Sequence, residues 1–263
     1  MIAALVGALD PAAPWLAPYA EPMRRLVHAA GAATSVAACL NAALDGAPGV
    51  ALAAGPLRFV GAGQLPPGEA YESFIRRSAT VPTRDNLHDL CNGLVWLRFA
   101  ALKRRLNELH AAQIARSGVG PVRGPLRDAL TLFDENGALW AAPPALADAL
   151  LQRDWATLFM ARRGAWNGAA PLLVGHALIE KLCRPRKAIT AHVWLLPAAR
   201  DVCAASGAGW LTPERLGGGA DAPLPVLGVP GWWAENRVAS FYDDPAVFRP
   251  GRSGSGTGGA AAR

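Results

Sequence analysis

The 263-residue chain is short of cysteine, lysine and charge, and it has no long apolar run. Its four cysteines (Cys39, Cys91, Cys183, Cys203) are widely scattered without a CxxC pair. That spacing excludes a zinc ribbon and a disulfide framework. Cys91 and Cys183 sit in apolar stretches and read as small buried side chains. No apolar run reaches the roughly 18 residues of a spanning helix, because Arg98 interrupts the best one. The apolar N-terminus MIAALVGALDPAAPW has no basic residue ahead of its short run, which argues against a signal peptide. The expectation is a cytoplasmic protein without a membrane partner. HExxH, GxxxxGK[ST] and GxSxG are all absent, so zincin, P-loop and nucleophile-elbow chemistry have no support.

What is present is apolar: 52% of residues are hydrophobic and only 17% charged, a balance that builds a core rather than a disordered chain. Lys and Arg number 26 against 20 Asp and Glu, for a formal charge of +6. Basic excess attracts anionic ligands and nucleic acid. Here it is dispersed, and only Arg184–Lys187 (RPRK) is compact. The only lysines, Lys103, Lys181 and Lys187, fall in the two blocks richest in motifs, which suits positions needing an ammonium.

The first block is Thr80–Gln113. Thr83 is positioned to cap a helix, and Leu87, Leu90, Leu94, Val95, Leu102, Leu106 and Leu109 form its buried stripe. Asp85, His88, Asp89 and Asn92 share another face, which continues through Trp96 and Phe99 to Lys103. A polar edge running into aromatics suits a pocket wall; acids in a first turn also simply suit the helix dipole. The second block joins a helix over 171–183, with His176 and Glu180 one turn apart, to a strand over 188–196 carrying His192. Imidazole and carboxylate are the usual ligands of zinc or a non-haem transition metal. The same letters also fit Glu180 paired with a cation and His192 donating to a carbonyl. Between the blocks, Asn136-Gly137 predicts a hairpin pairing 132–135 with 138–141. Asp134 and Glu135 beside it form either a reactive carboxylate pair or ordinary turn acids.

Helices are also predicted over 22–40, 70–77 and 146–159, and a strand over 57–63. The Pro- and Gly-rich segment 223–250 carries Trp232, Trp233, Phe241, Tyr242 and Phe248, too many large apolar groups for a solvated tail. The predicted architecture is α+β: one helix-dominated domain over residues 1–250, with a small antiparallel sheet and an irregular C-terminal wrap. Residues 251–263 read as a disordered tail.

Four blocks, VPTRDNLHDLCNGLVWL, GPLRDALTLFDENGALW, GHALIEKLCRPRKAITAHVW and LPVLGVPGWWAEN…FYDDPAVFRP, resemble in their order the proteobacterial domain of unknown function numbered three thousand and twenty-five. The similarity spans about residues 65–250. At Cys91-Asn92-Gly93 the family pattern would have a bulkier aromatic, then Asn-Ala. The resemblance implies a single soluble bacterial domain and assigns no activity, cofactor or catalytic residue.

Three functions fit these residues. In the first, a metal-dependent hydrolase, His88, His176, Glu180 and His192 hold zinc, manganese or iron. Asp89, Glu135 and Lys181 then serve as proton-transfer groups, and Arg84, Asp85, Asn92, Trp96, Lys103 and Arg127 line the substrate pocket. The second is a binding module for an anionic ligand, a nucleotide or nucleic acid, using Arg84, Arg123, Arg127 and RPRK with Trp96, Trp140 and Trp194 as stacking surfaces. In the third, Asp85, His88, Asp89 and Asn92 form a structural polar network and the protein works through partner contacts.

Overall fold

In the computed structural model, the 80–113 stretch folds as a strand and two helices: β4 (Thr80–Thr83), α5 (Leu87–Arg98) and α6 (Ala100–Ser117). The structure describes residues 1–46, 50–118, 124–197 and 209–251. The cap of α5 is Asn86, whose side-chain oxygen accepts from the Asp89 amide at 2.8 Å. Thr83 is still extended in β4, and its hydroxyl donates to the Val81 carbonyl instead. The break falls at Phe99 (φ −125°, ψ 49°), whose ring is buried edge-on against Tyr19. A tertiary contact thus overrides a continuous helical pattern.

The N-terminal part supplies α1 (Ile2–Val6), α2 (Ala20–Ala30) and α3 (Val36–Asp45). The helix predicted over 22–40 therefore splits near Gly31, and Ser35 caps α3. Asp85 accepts from the Val36 amide at 2.7 Å, so it supports the start of α3. The short strands β1 (Ala51–Leu52) and β2 (Gly55–Pro56) pair with each other, and β3 (Arg58–Gly61) pairs in parallel with β4. The helix α4 (Tyr71–Ser78) lies against α6.

Pro125 sits in the first turn of α7 (Pro125–Asn136), which runs directly into β5 (Gly137–Trp140). The hairpin predicted at Asn136-Gly137 does not form. Leu126, Leu130 and Phe133 keep helical spacing, and Gly137 is extended (φ −74°, ψ 146°) rather than left-handed. After α8 (Pro144–Gln152) come β6 (Leu172–Leu173), α9 (His176–Leu182) and β7 (Thr190–Leu195), then α10 (Pro213–Gly217) and β8 (Ala222–Pro225). The sheet order is β6-β5-β7-β8. It is mixed, not purely antiparallel: β5 and β7 run parallel, with Gly137 opposite His192, because helices carry the chain back between them.

The protein is thus helix-dominated α+β, and Trp96, Trp140, Trp194, Phe133 and Phe159 are fully buried in its core. The C-terminal wrap buries Trp232, Phe241, Tyr242 and Phe248, and Asn236 braces it internally by donating to the Leu227 and Val229 carbonyls. The predicted disordered tail, apart from Gly251, lies outside the described residues, as do Arg123 and Cys203. No helix among the described residues is long and apolar enough to cross a membrane.

Candidate metal centre

Helices α5 and α9 pack together, and between them the His88 ring is held at both nitrogens. Glu180 Oε2 lies 2.8 Å from its Nδ1, and His176 Nε2 lies 3.1 Å from its Nε2. His176 and Glu180, one turn apart on α9, therefore grip a single imidazole. His176 is itself fixed on its other side, its Nδ1 lying 2.7 Å from the Asp134 backbone carbonyl.

The proton positions follow from the partners. A carbonyl only accepts, so His176 donates through Nδ1–H; an ionised carboxylate only accepts, so His88 does the same toward Glu180. In the neutral rings both Nε2 atoms are then bare lone pairs facing each other at 3.1 Å. Such a pair is stable only with a proton or a cation between them. Burial, with the Lys103 and His88 charges adding to it, holds the His176 imidazolium down to a pKa of about 4 despite the opposing Asp134 carboxylate. That disfavours a proton on His176 itself.

Glu135 completes the group. Its Oε1 lies 3.7 Å from His176 Nε2, and the donor atoms of His88, Glu135 and His176 all fall within 4.8 Å of one another. Two ligands about 2.0–2.1 Å from a tetrahedral ion stand roughly 3.3 Å apart; the His88–His176 separation of 3.1 Å lies close to that, and the His176–Glu135 separation of 3.7 Å a little above it. Burial raises the Glu135 pKa, opposed chiefly by the His88 charge. A dication would relieve that burial cost.

Local backbone geometry sets this convergence. Gly175, just before His176, lies so close to the α7–β5 junction that a Cβ there would stand 2.5 Å from the Glu135 carbonyl oxygen and the Gly137 nitrogen. Only glycine permits that approach, and it brings the start of α9 onto the end of α7. On α7 Asp134 accepts from Lys103 Nζ at 2.5 Å. Burial would raise the Asp134 pKa, but the Lys103 and His176 charges outweigh it and hold the carboxyl low.

The three donors line a cavity of about 360 Å³ together with Tyr71, Glu72 and His110. His110 is buried, and its Nδ1 has no hydrogen-bond partner among the described residues; the Glu72 carboxylate lies 3.9 Å away. Burial lowers the His110 pKa, with Glu72 opposing. Asn92 donates to the Tyr71 hydroxyl at 3.1 Å. Arg84 and Asp89 also line the cavity and neutralise each other through two side-chain hydrogen bonds, at 2.8 and 3.1 Å.

Of the predicted residues, His88, Glu135 and His176 converge, and Arg84, Asp89 and Asn92 share their cavity. Glu180 meets the ring nitrogen of His88 that points away from the centre. Lys103 and the buried Trp96 lie behind the wall, the ammonium 5.6 Å over the indole, and Arg127 is buried on α7. Lys181 donates to Asn136 at 2.7 Å. His192 stays on β7, where burial and then the Lys181 charge lower its pKa, and is not one of the converging donors. Asp85 is spent on the α3 amide. Tyr71, Glu72 and His110 escaped the sequence reading. The available signal was the spacing of Lys103, Asn107 and His110 along one face of α6.

Comparison with known proteins gives one family: the model described as "Protein of unknown function (DUF3025)" matches residues 57–252. No curated protein and no solved structure matches.

Proposed function

The chain belongs to the DUF3025 family, and we propose that it is a metal-dependent hydrolase whose single divalent ion is held by His88, His176 and Glu135. The observation that carries this reading is the facing pair of Nε2 atoms at 3.1 Å, each ring having its Nδ1 already committed. Metal-ligating histidines characteristically give their second nitrogen to a carboxylate or backbone carbonyl, the two partners found here. Imidazole and carboxylate donors suit zinc, manganese or iron. Three protein donors leave a position for water, whose pKa such an ion lowers toward neutrality.

The remaining acids divide by their engagements. Asp89 is tied to Arg84, Asp134 to Lys103 and Glu180 to His88. Glu72 has no Lys or Arg partner among the described residues and lies 3.9 Å from His110, which makes this pair the proton acceptor and donor of the pocket. Lysine 181 is engaged with Asn136, outside the cavity lining.

The lining also favours one substrate class. Among the described residues that line the cavity, Glu72, Asp89, Asp134 and Glu135 stand against Arg84 alone, with Lys103 behind them. A dication brings this surface close to neutral, and among the described residues no unpaired guanidinium or ammonium lines the cavity to receive a phosphate. Neutral or amine-bearing amides and esters fit better than phosphoesters, and about 360 Å³ takes a small molecule or the end of a chain.

The test is reconstitution with zinc, manganese or iron followed by a panel of amides, esters and phosphoesters. Metal-dependent amide or ester turnover, lost in His176→Ala and Glu135→Gln while both remain folded, is the expected result. Turnover no faster than that of the free ion, or turnover that survives both substitutions, would sink the proposal.

A further inference from the structure

A second and larger cavity, about 760 Å³, opens where α5 ends and α6 begins. The 12 residues of α5 put its two ends roughly 18 Å apart, with His88 and Asp89 at the first and Leu97 and Arg98 at the last. The two cavities differ in charge. Arg24, Arg25, Arg98 and Arg104 line the second one, against Glu21 as the only acid among the described residues that line it. Four guanidinium groups around one concavity repel each other, and a single carboxylate leaves a formal excess of three positive charges (four minus one).

Three of the four are held in place by neighbours. Arg98 donates through Nε to the Pro18 carbonyl at 2.6 Å and lies 4.7 Å over the Phe99 ring. Arg104 reaches the Ala51 carbonyl at 3.4 Å. Arg25 pairs with Glu21 at 2.7 Å, yet its Nε is buried with no acceptor among the described residues. Arg24 has no ion-pair partner among them either. Because Arg98 is held through Nε, its terminal nitrogens are left for another acceptor. Guanidinium forks fixed in this way are suited to the oxygens of phosphate. Between the arginines the surface is apolar, formed by Ala17, Leu44, Val50, Leu97 and Ala101, and no aromatic ring is among the described residues that line it. That removes the stacking platform on which single-stranded nucleic acid depends.

We propose that this groove binds a phosphate-bearing small molecule with an apolar body, gripped by Arg24, Arg25, Arg98 and Arg104, at a site separate from the histidine pocket.

Calorimetric titration of the full chain with pyrophosphate, phenyl phosphate and a single-stranded oligonucleotide tests this. Arg24 and Arg104 are exposed, so Arg24→Glu and Arg104→Glu leave the fold intact, as melting temperature without ligand will confirm. The expected result is saturable binding of phenyl phosphate that weakens steeply with salt. It should fall at least tenfold in each Arg→Glu variant and remain unchanged in His176→Ala. Absence of saturable binding to either phosphate probe overturns the proposal, and so does binding that persists in both variants. Loss of binding in His176→Ala would move the phosphate to the histidine pocket, and tighter binding of the oligonucleotide would make the groove a nucleic-acid surface. Either result overturns the assignment.

Discussion

Replacing Glu180 with glutamine removes one charge and almost no volume, and it isolates what the outer carboxylate does for the candidate centre. Glu180 Oε2 sits 2.8 Å from His88 Nδ1. A hydrogen bond to an ionised partner contributes about 1.5–3 kcal/mol and a neutral one about 0.5–1.5 kcal/mol. The substitution therefore costs the imidazole about 1–2 kcal/mol of donor strength, or roughly 5–30-fold in metal affinity. About a third of each side chain is exposed, 31% for His88 and 36% for Glu180, and solvent screening moves the expectation toward tenfold. Competition with a chromogenic chelator measures the affinity, and the melting temperature of metal-free protein checks the fold. Glu180→Ala should lose more, because it also frees the ring. A Glu180→Gln affinity within twofold of the wild type would refute the view that Glu180 orients and polarises a ligand.

Lys103→Met strands the buried Asp134 carboxylate and should destabilise the protein by about 2–3 kcal/mol, below the 3–5 kcal/mol of a fully buried pair because Asp134 retains some exposure. Urea unfolding with unchanged midpoint would contradict this. Gly175→Ala forces a methyl against the Glu135 carbonyl and should cost about 1–3 kcal/mol while also weakening metal uptake; a fully stable, metal-competent variant would refute the close-approach argument. In metal-free protein His176 stays neutral down to about pH 4, whereas the unfolded chain takes up the proton near 6.5. The unfolded state then holds more protons across that window. Stability should fall as pH drops from about 6.5 toward 4, by up to about 1.4 kcal/mol per pH unit, and His176→Gln should flatten the slope. Identical slopes in both proteins would show that His176 is not the group responsible.

Much of the candidate centre was legible because helical spacing is local. The shared face of Asp85, His88, Asp89 and Asn92 follows from 3.6 residues per turn, as does the pairing of His176 with Glu180. Spacing could not say that His176 and Glu180 would grip opposite ends of one imidazole, which depends on how α9 docks on α5. The hairpin failed for a different reason. Asn136-Gly137 reads as a tight turn in isolation, but the apolar stripe of α7 continues to Phe133 and the glycine serves as the first residue of a strand. Thr83 likewise looks like a cap until β3 claims it as a strand partner. Tyr71, Glu72 and His110 reach the cavity only because Phe99 turns α6 back against α4, and nothing in a continuous leucine pattern marks that break.

The measurement that bears most directly on the account is elemental analysis of protein purified without a metal-chelating tag. Close to one equivalent of zinc, manganese or iron per chain is expected, lost in His88→Ala, His176→Ala and Glu135→Ala and retained in His192→Ala. A folded protein that carries no metal and takes none up on titration, or one whose metal survives His176→Ala, would contradict it.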